Sequence, residues 1–450
     1  MERTIAAIAT APGKAGISVI RISGNCAIEI ADSVFRGRNS LKEVPSHTIN
    51  YGFICSEGED IDQVLVSVMK APRTYTGEDV AEINCHGGMR VTRAVLDAVI
   101  KAGADMAEPG EFTKRAFLNG KIDLSQAEAV IDIINAENDI AHTNAFSQLK
   151  GKLSEQISEA RDKIIKLSAR MQVAIDYPDE DLEDITPDGI IEVLEECKKT
   201  TESLLIQADN GKIITDGIAV AIIGKPNVGK SSLLNCLSKS SRAIVTDIAG
   251  TTRDTIEERI NLDGVPLKLI DTAGIRETDD VVERIGVERS KQSIVEADIL
   301  FVMLDANSGI TDEDREILDE TKDKNRIIII NKTDIKDLDV SGIDNDKKVS
   351  ISAKTGDGIE ELSKILKDKY NIGELSKPSM PIITNARQKR ALNLADEALL
   401  RAISVMKAGE PQDLATLDIY EAADFLGEIT GQAVSEDIVS SIFHDFCVGK

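Results

Sequence analysis

Four hundred and fifty residues give a prior of about three domains at roughly 150 residues each, and 42% apolar with 29% charged residues exclude disorder, collagen-like repeats and low complexity. A formal charge of −25 excludes a chain whose whole surface is a polyanion-binding patch, so any nucleic-acid contact has to be local or shared. The six cysteines lack CxxC spacing, which argues against a disulfide framework or zinc site. No apolar run approaches the roughly 18 residues of a membrane span, so a soluble cytoplasmic protein is expected.

From Thr4 to about Leu118, short apolar runs such as 17–22 alternate with turns at Pro12-Gly13, Gly87-Gly88 and Pro109-Gly110, which predicts a mixed α+β domain. From Ser125 to about Asp209, apolar residues recur at helical spacing (Ala129, Ile133, Ile134, then Leu153, Ile157, Ile164, Leu167) and predict long helices. The acidic stretch 176–181 around Pro178 should interrupt them. Between Gly217 and about Tyr370 the runs 218–223, 267–270, 299–304, 327–330 and 349–351 alternate with helical stretches, the βαβ pattern of a parallel sheet. After Asn385 the helical period returns through Leu392, Leu399, Leu426, Ile438, Ile442 and Phe446. The expected fold class is multidomain α/β and α+β. An N-terminal α+β domain spans 1–120, a helical domain comes in two parts, 121–214 and 374–450, and an α/β domain over 215–373 is inserted between them.

Gly224-Lys225-Pro226-Asn227-Val228-Gly229-Lys230-Ser231, after an apolar run and before the helical Ser232-Leu233-Leu234, is the setting of a phosphate-binding P-loop. Its backbone amides can converge on phosphate oxygens, Lys230 supplies the cation, and the Ser231 hydroxyl can ligate magnesium. Asp271-Thr272-Ala273-Gly274 ends a strand where a carboxylate can hold a magnesium-bound water and the Gly274 amide can meet a γ-phosphate. Asn331-Lys332-Thr333-Asp334 follows the isoleucine run, and Asp334 can accept both the ring N–H and the exocyclic amine of guanine, which selects GTP over ATP. Ser352-Ala353-Lys354 closes the last strand, where its backbone can meet the guanine carbonyl. In this order the four motifs predict that the inserted 215–373 is a Ras-like P-loop GTPase domain and resemble the translation-factor-related GTPases.

Ile275 follows the Asp271 motif, so the water-positioning glutamine of Ras-type enzymes is absent there. The loop Thr246-Asp247-Ile248-Ala249-Gly250-Thr251-Thr252-Arg253-Asp254 is the switch candidate. Thr252 can complete a magnesium shell, and the loop carbonyls can ring a larger cation such as potassium, which would neutralise charge between the β- and γ-phosphates. Arg253 or Arg276 from a neighbouring subunit is the rival for that role, and Arg253 can equally pair with Asp254 or Asp247. At the other end of the chain, packing of Phe443 and Phe446 should anchor the terminus and hold Cys447 and Lys450 in a defined place, although a buried inert thiol is the simpler expectation for Cys447 alone.

The whole chain, Thr4 to Lys450, resembles the MnmE (TrmE) family, GTPases of bacterial and organellar tRNA wobble-uridine modification. The residues that carry the resemblance are 11–18 (Ala-Pro-Gly-Lys-Ala-Gly-Ile-Ser), Tyr75-Thr76-Gly77-Glu78-Asp79, Pro109-Gly110-Glu111-Phe112-Thr113, Gly250-Thr251-Thr252-Arg253-Asp254 and the Cys447-Val448-Gly449-Lys450 end. The resemblance implies an N-terminal tetrahydrofolate-binding domain that dimerises and potassium-dependent pairing of the GTPase domains. It also implies joint action with the flavoprotein MnmG, in a heterotetramer or larger complex, to install an aminomethyl or carboxymethylaminomethyl group at uridine C5 of tRNA. By motif, Asn227, Thr246, Ile248 and Thr251 would hold K+, Ser231 and Thr252 Mg2+, and Glu283 would orient the attacking water. Arg21, Glu78, Lys121 and Lys450 would bind a 5-formyl- or 5,10-methylene-type folate, and Cys447 would act in one-carbon transfer or positioning. Arg21 shares a strand face with Val19, so a carboxylate partner is expected for it, whether from ligand or protein, while Glu78 and Lys121 could be ordinary surface charges. His86 beside Cys85 lacks the further ligands of a metal site and reads as structural.

Two other functions compete. A ribosome-assembly GTPase of the Era or Der type would need a basic RNA-binding module, yet from Ser376 onward there are 7 Lys/Arg against 11 Asp/Glu. A non-enzymatic folate-responsive scaffold would bind without turnover.

Overall fold

Strand β2 (Ile17–Ser23) sends Ser18, Ile20 and Ile22 to one face of its sheet, where all three are buried, and Val19, Arg21 and Ser23 to the other. It belongs to a computed structural model that describes residues 3–136, 138–176, 186–240, 258–270, 294–336, 347–370, 372, 382–444 and 446–449. Around it stand β1 (Ile5–Ile8), β3 (Phe35–Gly37), β4 (Thr48–Ser56), β5 (Glu59–Met69), β6 (Val80–His86) and β7 (Asp105–Met106), in the order β3-β4-β5-β6-β2-β1-β7. The β1–β7 pair is parallel and the other neighbours are antiparallel. Helices α1 (Ala27–Val34) and α2 (Met89–Lys101) cover the Ile20 face, burying Ile28, Ala31, Val95 and Val99 against Ile20, Ile22, Val66 and Ile83. Part of the opposite face is covered by α3 (Glu111–Leu118), whose Phe112 packs on Ile5, Ala7 and Ala107.

Long helices follow: α4 (Leu124–Asn135), α5 (Asp139–Leu149), α6 (Lys152–Asp176) and α7 (Pro187–Asp216). The helical break expected near Pro178 falls where α6 ends, and residues 177–185 lie outside those described.

The second sheet contains β8 (Ile218–Ile223), β9 (Glu258–Leu262), β10 (Val265–Ile270), β11 (Ile299–Asp305), β12 (Arg326–Asn331) and β13 (Lys347–Ser350), ordered β13-β12-β11-β8-β10-β9. All neighbours are parallel except β9, which pairs antiparallel with β10. This is a Ras-like arrangement with helices α8 (Lys230–Ser240), α9 (Asp312–Glu320) and α10 (Ile359–Lys369). The central strands β11 and β12 are wholly buried, as near-continuous apolar runs in a covered parallel sheet should be.

The last helices are α11 (Ala386–Lys407), α12 (Gln412–Thr430) and α13 (Glu436–His444). The stripe Leu153, Ile157, Ile164, Leu167, Met171 of α6 is buried, as are Ala415, Ile419, Ala422 and Leu426 of α12, and Arg161 of α6 donates to the Ala423 carbonyl across that seam at 3.1 Å. No helix among the described residues is long and apolar enough to cross a membrane.

Two compact units emerge, one of residues 1–134, 148–198 and 391–450 and one of 135–147 and 199–390. Ile140 and Ile213, which precede the second sheet, pack against its core.

Candidate functional site

In the second unit, β8 delivers the chain to Gly224 and α8 carries it away from Lys230, so the loop between them presents amides at a helix N-terminus. Gly229 has φ +105°, and a Cβ there would collide with the Asn331 side-chain amide. Asn331, at the end of β12, is the hub of the site. Its Nδ2 donates to the Val228 carbonyl at 2.9 Å, and its Oδ1 accepts from the Ala353 amide at 3.0 Å. One buried side chain thus fixes the P-loop and the Ser352-Ala353-Lys354 turn at once.

Lys332 and Thr333 extend this frame. Lys332 Nζ donates to Asp305 Oδ2 at 2.7 Å and to the Asn227 carbonyl at 3.0 Å, and Thr333 Oγ1 donates to the Ile351 carbonyl at 2.9 Å. Burial pushes the Asp305 carboxyl up, but the Lys332 ammonium and the Asn307 amide outweigh it and hold it below the usual range. Asp334 is exposed and makes no hydrogen bond or ion pair among the described residues, so both of its oxygens are open. Ser231, Ser232 and Lys354 are exposed, and Ser352 is buried under the turn.

Lys230 Nζ donates to the carbonyls of Gly224 and Lys225 at 2.6 and 3.1 Å, and burial lowers its pKa. A cation held this way by its own loop can exchange two carbonyls for phosphate oxygens. Lys225 was not singled out from sequence, yet it locks the first half of the loop. Its Nζ reaches Asp314 Oδ2 at 2.8 Å, Ser308 at 3.0 Å and Thr311 at 3.3 Å, and Asp314 is buried in the capping box of α9. The signal for it was Thr311-x-x-Asp314, a helix start three residues wide. The expected contributors Thr246, Asp247, Ile248, Ala249, Gly250, Thr251, Thr252, Arg253, Asp271, Thr272, Ala273, Gly274, Arg276 and Glu283 lie outside the described residues.

In the first unit, the carboxylate expected beside Arg21 is Glu82, directly across the strand pair, at 2.9 Å from Arg21 Nε. Arg21 Nη1 donates to the Gly449 carbonyl at 3.1 Å, and its guanidinium carbon sits 5.7 Å from the ring centroids of both Tyr75 and Phe112. Its Nη2 makes no hydrogen bond among the described residues. Glu78 is not a surface charge: it is buried, accepting from Ser23 Oγ at 2.7 Å and from Arg115 Nη1 at 3.1 and 3.2 Å. Arg115 Nη2 also bonds Glu111 Oε1 at 2.9 Å. Lys121 is exposed and donates to the Pro72 carbonyl at 3.0 Å, beside Asn119, whose Nδ2 donates to the Thr76 carbonyl at 2.7 Å.

The chain end joins the same face. Phe443 and Phe446, with ring centroids 5.0 Å apart, are buried with Leu124, Ala127 and Val439, as their spacing led us to expect. The Gly110 amide donates to the Cys447 carbonyl at 3.4 Å, and Gly449, at φ +93°, lies so close to the Ile8 carbonyl that no side chain fits there. Cys447 itself is exposed, which removes the buried inert thiol, because the rings on either side of Asp445 take the interior positions. Lys450 lies outside the described residues. His86 is exposed, and its Nδ1 and backbone amide bond Asp62 at 2.8 and 2.7 Å.

Two protein families match: the "GTP-binding protein TrmE N-terminus" over residues 4–121 and the "MnmE helical domain" over residues 124–447. The chain is 50% identical to the tRNA modification GTPase MnmE of Acetivibrio thermocellus over 456 aligned positions, covering 100% of this chain and 99% of that protein. It is 47% identical to the MnmE of Clostridioides difficile, covering 100% of both, and 48% identical to that of Thermoanaerobacter pseudethanolicus, covering 99% of both.

Proposed function

The chain belongs to the MnmE family of tRNA modification GTPases, and from that premise we propose that it couples GTP hydrolysis to C5 modification of the tRNA wobble uridine. In this reading it works as a homodimer with the flavoprotein MnmG, in a heterotetramer or larger complex, and draws on a 5-formyl- or 5,10-methylene-type tetrahydrofolate. The observation that carries the reading is Asn331, which ties the phosphate-binding loop to the guanine-side turn through one side chain.

In hydrolysis a water oxygen forms a bond to the γ-phosphorus while the bond to the β–γ bridging oxygen breaks. The P-loop amides and Lys230 hold the charge that gathers on the phosphate oxygens, and Asp334 fixes the base. Glu283 is assigned to orienting the water. Described donors suit the two cations: the Ser231 hydroxyl opens α8 and suits Mg2+, and Asn227, exposed at φ +61°, offers a neutral amide oxygen suited to K+. Thr252 would join Ser231, and Thr246, Ile248 and Thr251 would join Asn227. If held by these residues, potassium would supply positive charge to offset the charge that gathers on the phosphate oxygens, the task an arginine finger performs in other GTPases. Turnover is then expected to run about 10²-fold faster in potassium than in sodium, the scale of removing one transition-state charge partner. Equal rates in the two salts would sink the cation assignment and leave the GTPase standing.

In the first unit, the reading assigns Arg21 and Lys121, with the terminal Lys450, to folate carboxylates and Glu78 to the pterin donors. Arg21 Nη2 supports this, since its donors make no hydrogen bond among the described residues. Glu78 accepts from Ser23 and Arg115 on Oε2 but from Arg115 alone on Oε1, so Oε1 keeps one lone pair for a ligand donor. The decisive experiment is nucleoside analysis of tRNA from a strain lacking the gene. The wild-type chain should restore the C5-modified wobble uridine and Cys447→Ser should not. Failure of the wild type to restore it rejects the function, whereas restoration by the serine variant limits Cys447 to positioning.

A further inference from the structure

The acidity of the chain is not evenly spread. Residues 1–118 hold 13 of the 53 Lys/Arg but only 15 of the 78 Asp/Glu, a net of −2, which leaves −23 for the remainder. An RNA backbone is repelled least by this N-terminal part. Eight of its 13 cations are already engaged. Arg3, Arg21, Arg36, Lys42, Lys101 and Arg115 are in ion pairs, Lys70 donates to the Lys42 carbonyl and Lys114 to Ser440. Among the described residues the other five, Lys14, Arg38, Arg73, Arg90 and Arg93, make no ion pair or side-chain hydrogen bond.

Three of these five converge. The loop that carries Lys14 is pinned to the turn after β6, with the Ala15 amide donating to the Gly87 carbonyl at 2.8 Å and the Gly87 amide to the Gly16 carbonyl at 3.4 Å. That approach leaves no room for a Cβ at Gly87. The same turn opens α2, where Arg90 and Arg93 are three residues apart and therefore on one face. All three side chains are exposed. No acidic residue lies in the first turn of α2, and its leading amides add positive potential at the same spot. The nearby carboxylates are accounted for or further along: Asp62 is bound by His86, Glu57 by Lys101, and Asp97 is a turn beyond Arg93.

Resting on the tRNA reading above, we propose that Lys14, Arg90 and Arg93 form a contact for the phosphodiester backbone of the tRNA substrate. Three exposed, unpaired cations on a rigid loop–helix junction suit evenly spaced phosphates, to which Arg can bond bidentately. Such a contact positions the RNA without reading its sequence. It also gives a −25 chain one local surface on which RNA can settle.

The test uses the full chain and fluorescence anisotropy of labelled unmodified tRNA, titrated in salt from about 50 to about 200 mM. The triple variant Lys14→Glu, Arg90→Glu, Arg93→Glu should bind at least about tenfold more weakly at the low end, and its log–log salt dependence should be shallower by about 2 to 3. Its GTP turnover without tRNA should be that of the wild type. The double variant Arg38→Glu, Arg73→Glu, which changes the other two unpaired cations, should keep the wild-type slope. Unchanged affinity and slope in the triple variant would overturn the proposal, as would an equal loss in the double variant or no binding by the wild type at low salt. The function itself is judged separately by the nucleoside assay, so modification restored by the wild type beside an unaffected triple variant rejects this surface alone.

Discussion

Asp334→Asn should lower affinity for GTP by about 10² to 10³-fold and at the same time admit xanthosine triphosphate as a substrate. Guanine offers two donors on one edge, N1–H and the 2-amino group, and a carboxylate offers two acceptors. With asparagine, one of those donors faces another donor, so a charge-assisted bond is lost and a polar pair is left unmatched, a cost of roughly 2 to 4 kcal/mol. Xanthine carries a carbonyl at C2, which can accept from the new amide. The frame around the position makes the switch clean. Lys332 is held by Asp305 and the Asn227 carbonyl and Thr333 by Ile351, so the backbone before Asp334 is set by bonds the substitution does not touch. Asp334 is exposed, so the fold should lose no more than about 0.5 kcal/mol. Competitive titration of the two nucleotides checks this; an unchanged preference for guanine would show that Asp334 does not read the base.

The nucleotide site was legible because its chemistry needs contiguous residues: a phosphate loop is one turn of chain, and so is each guanine-side motif. The bonds that join these segments were not legible. Asn331 reaches Val228 across 103 positions, and Lys225 reaches Asp314 across 89, distances at which no local pattern carries information. Strand β9 escaped a reading that looked for long apolar runs, although Asp263-Gly264, with φ of +50° and +87°, is a hairpin turn and Ile260 and Leu262 alternate before it. The partner of Arg21 could be anticipated in kind, because a guanidinium on a half-buried strand face needs a carboxylate, but naming Glu82 required the register of β2 on β6. Apolar spacing likewise told that Phe443 and Phe446 anchor the chain end, whereas its destination beside Gly110 and Ile8 depends on packing.

Arg115→Met should be the most damaging single change in the first unit. Arg115 is nearly buried, with 11% of its side chain exposed, and bridges Glu78 and Glu111, themselves at 8% and 9%. Arg3 and the Glu108 amide also bond Glu111, but nothing else positive reaches Glu78 among the described residues. Removing one partner of a buried ionic cluster strands the others, at about 3 to 5 kcal/mol. Protection of the amides in β2 and α3 against hydrogen exchange should therefore fall by roughly 10² to 10³-fold or more. Lysine is no substitute, since a single ammonium cannot meet two carboxylates with the geometry of a fork. The pH dependence separates electrostatics from lost packing. In the wild type, burial pushes the Glu111 carboxyl up, but the Glu108 amide and Arg115 hold it below its ordinary value. That contribution is fully present above the unfolded pKa and fades as the pH falls through the depressed folded one. Without Arg115, the burial of Glu111 is opposed by less, protonation of Glu111 relieves its stranded charge, and the deficit of the variant should shrink on acidification. A deficit that stays constant with pH would mean that Arg115 acts through its aliphatic stem, and that the carboxylates it touches are better solvated than their burial indicates.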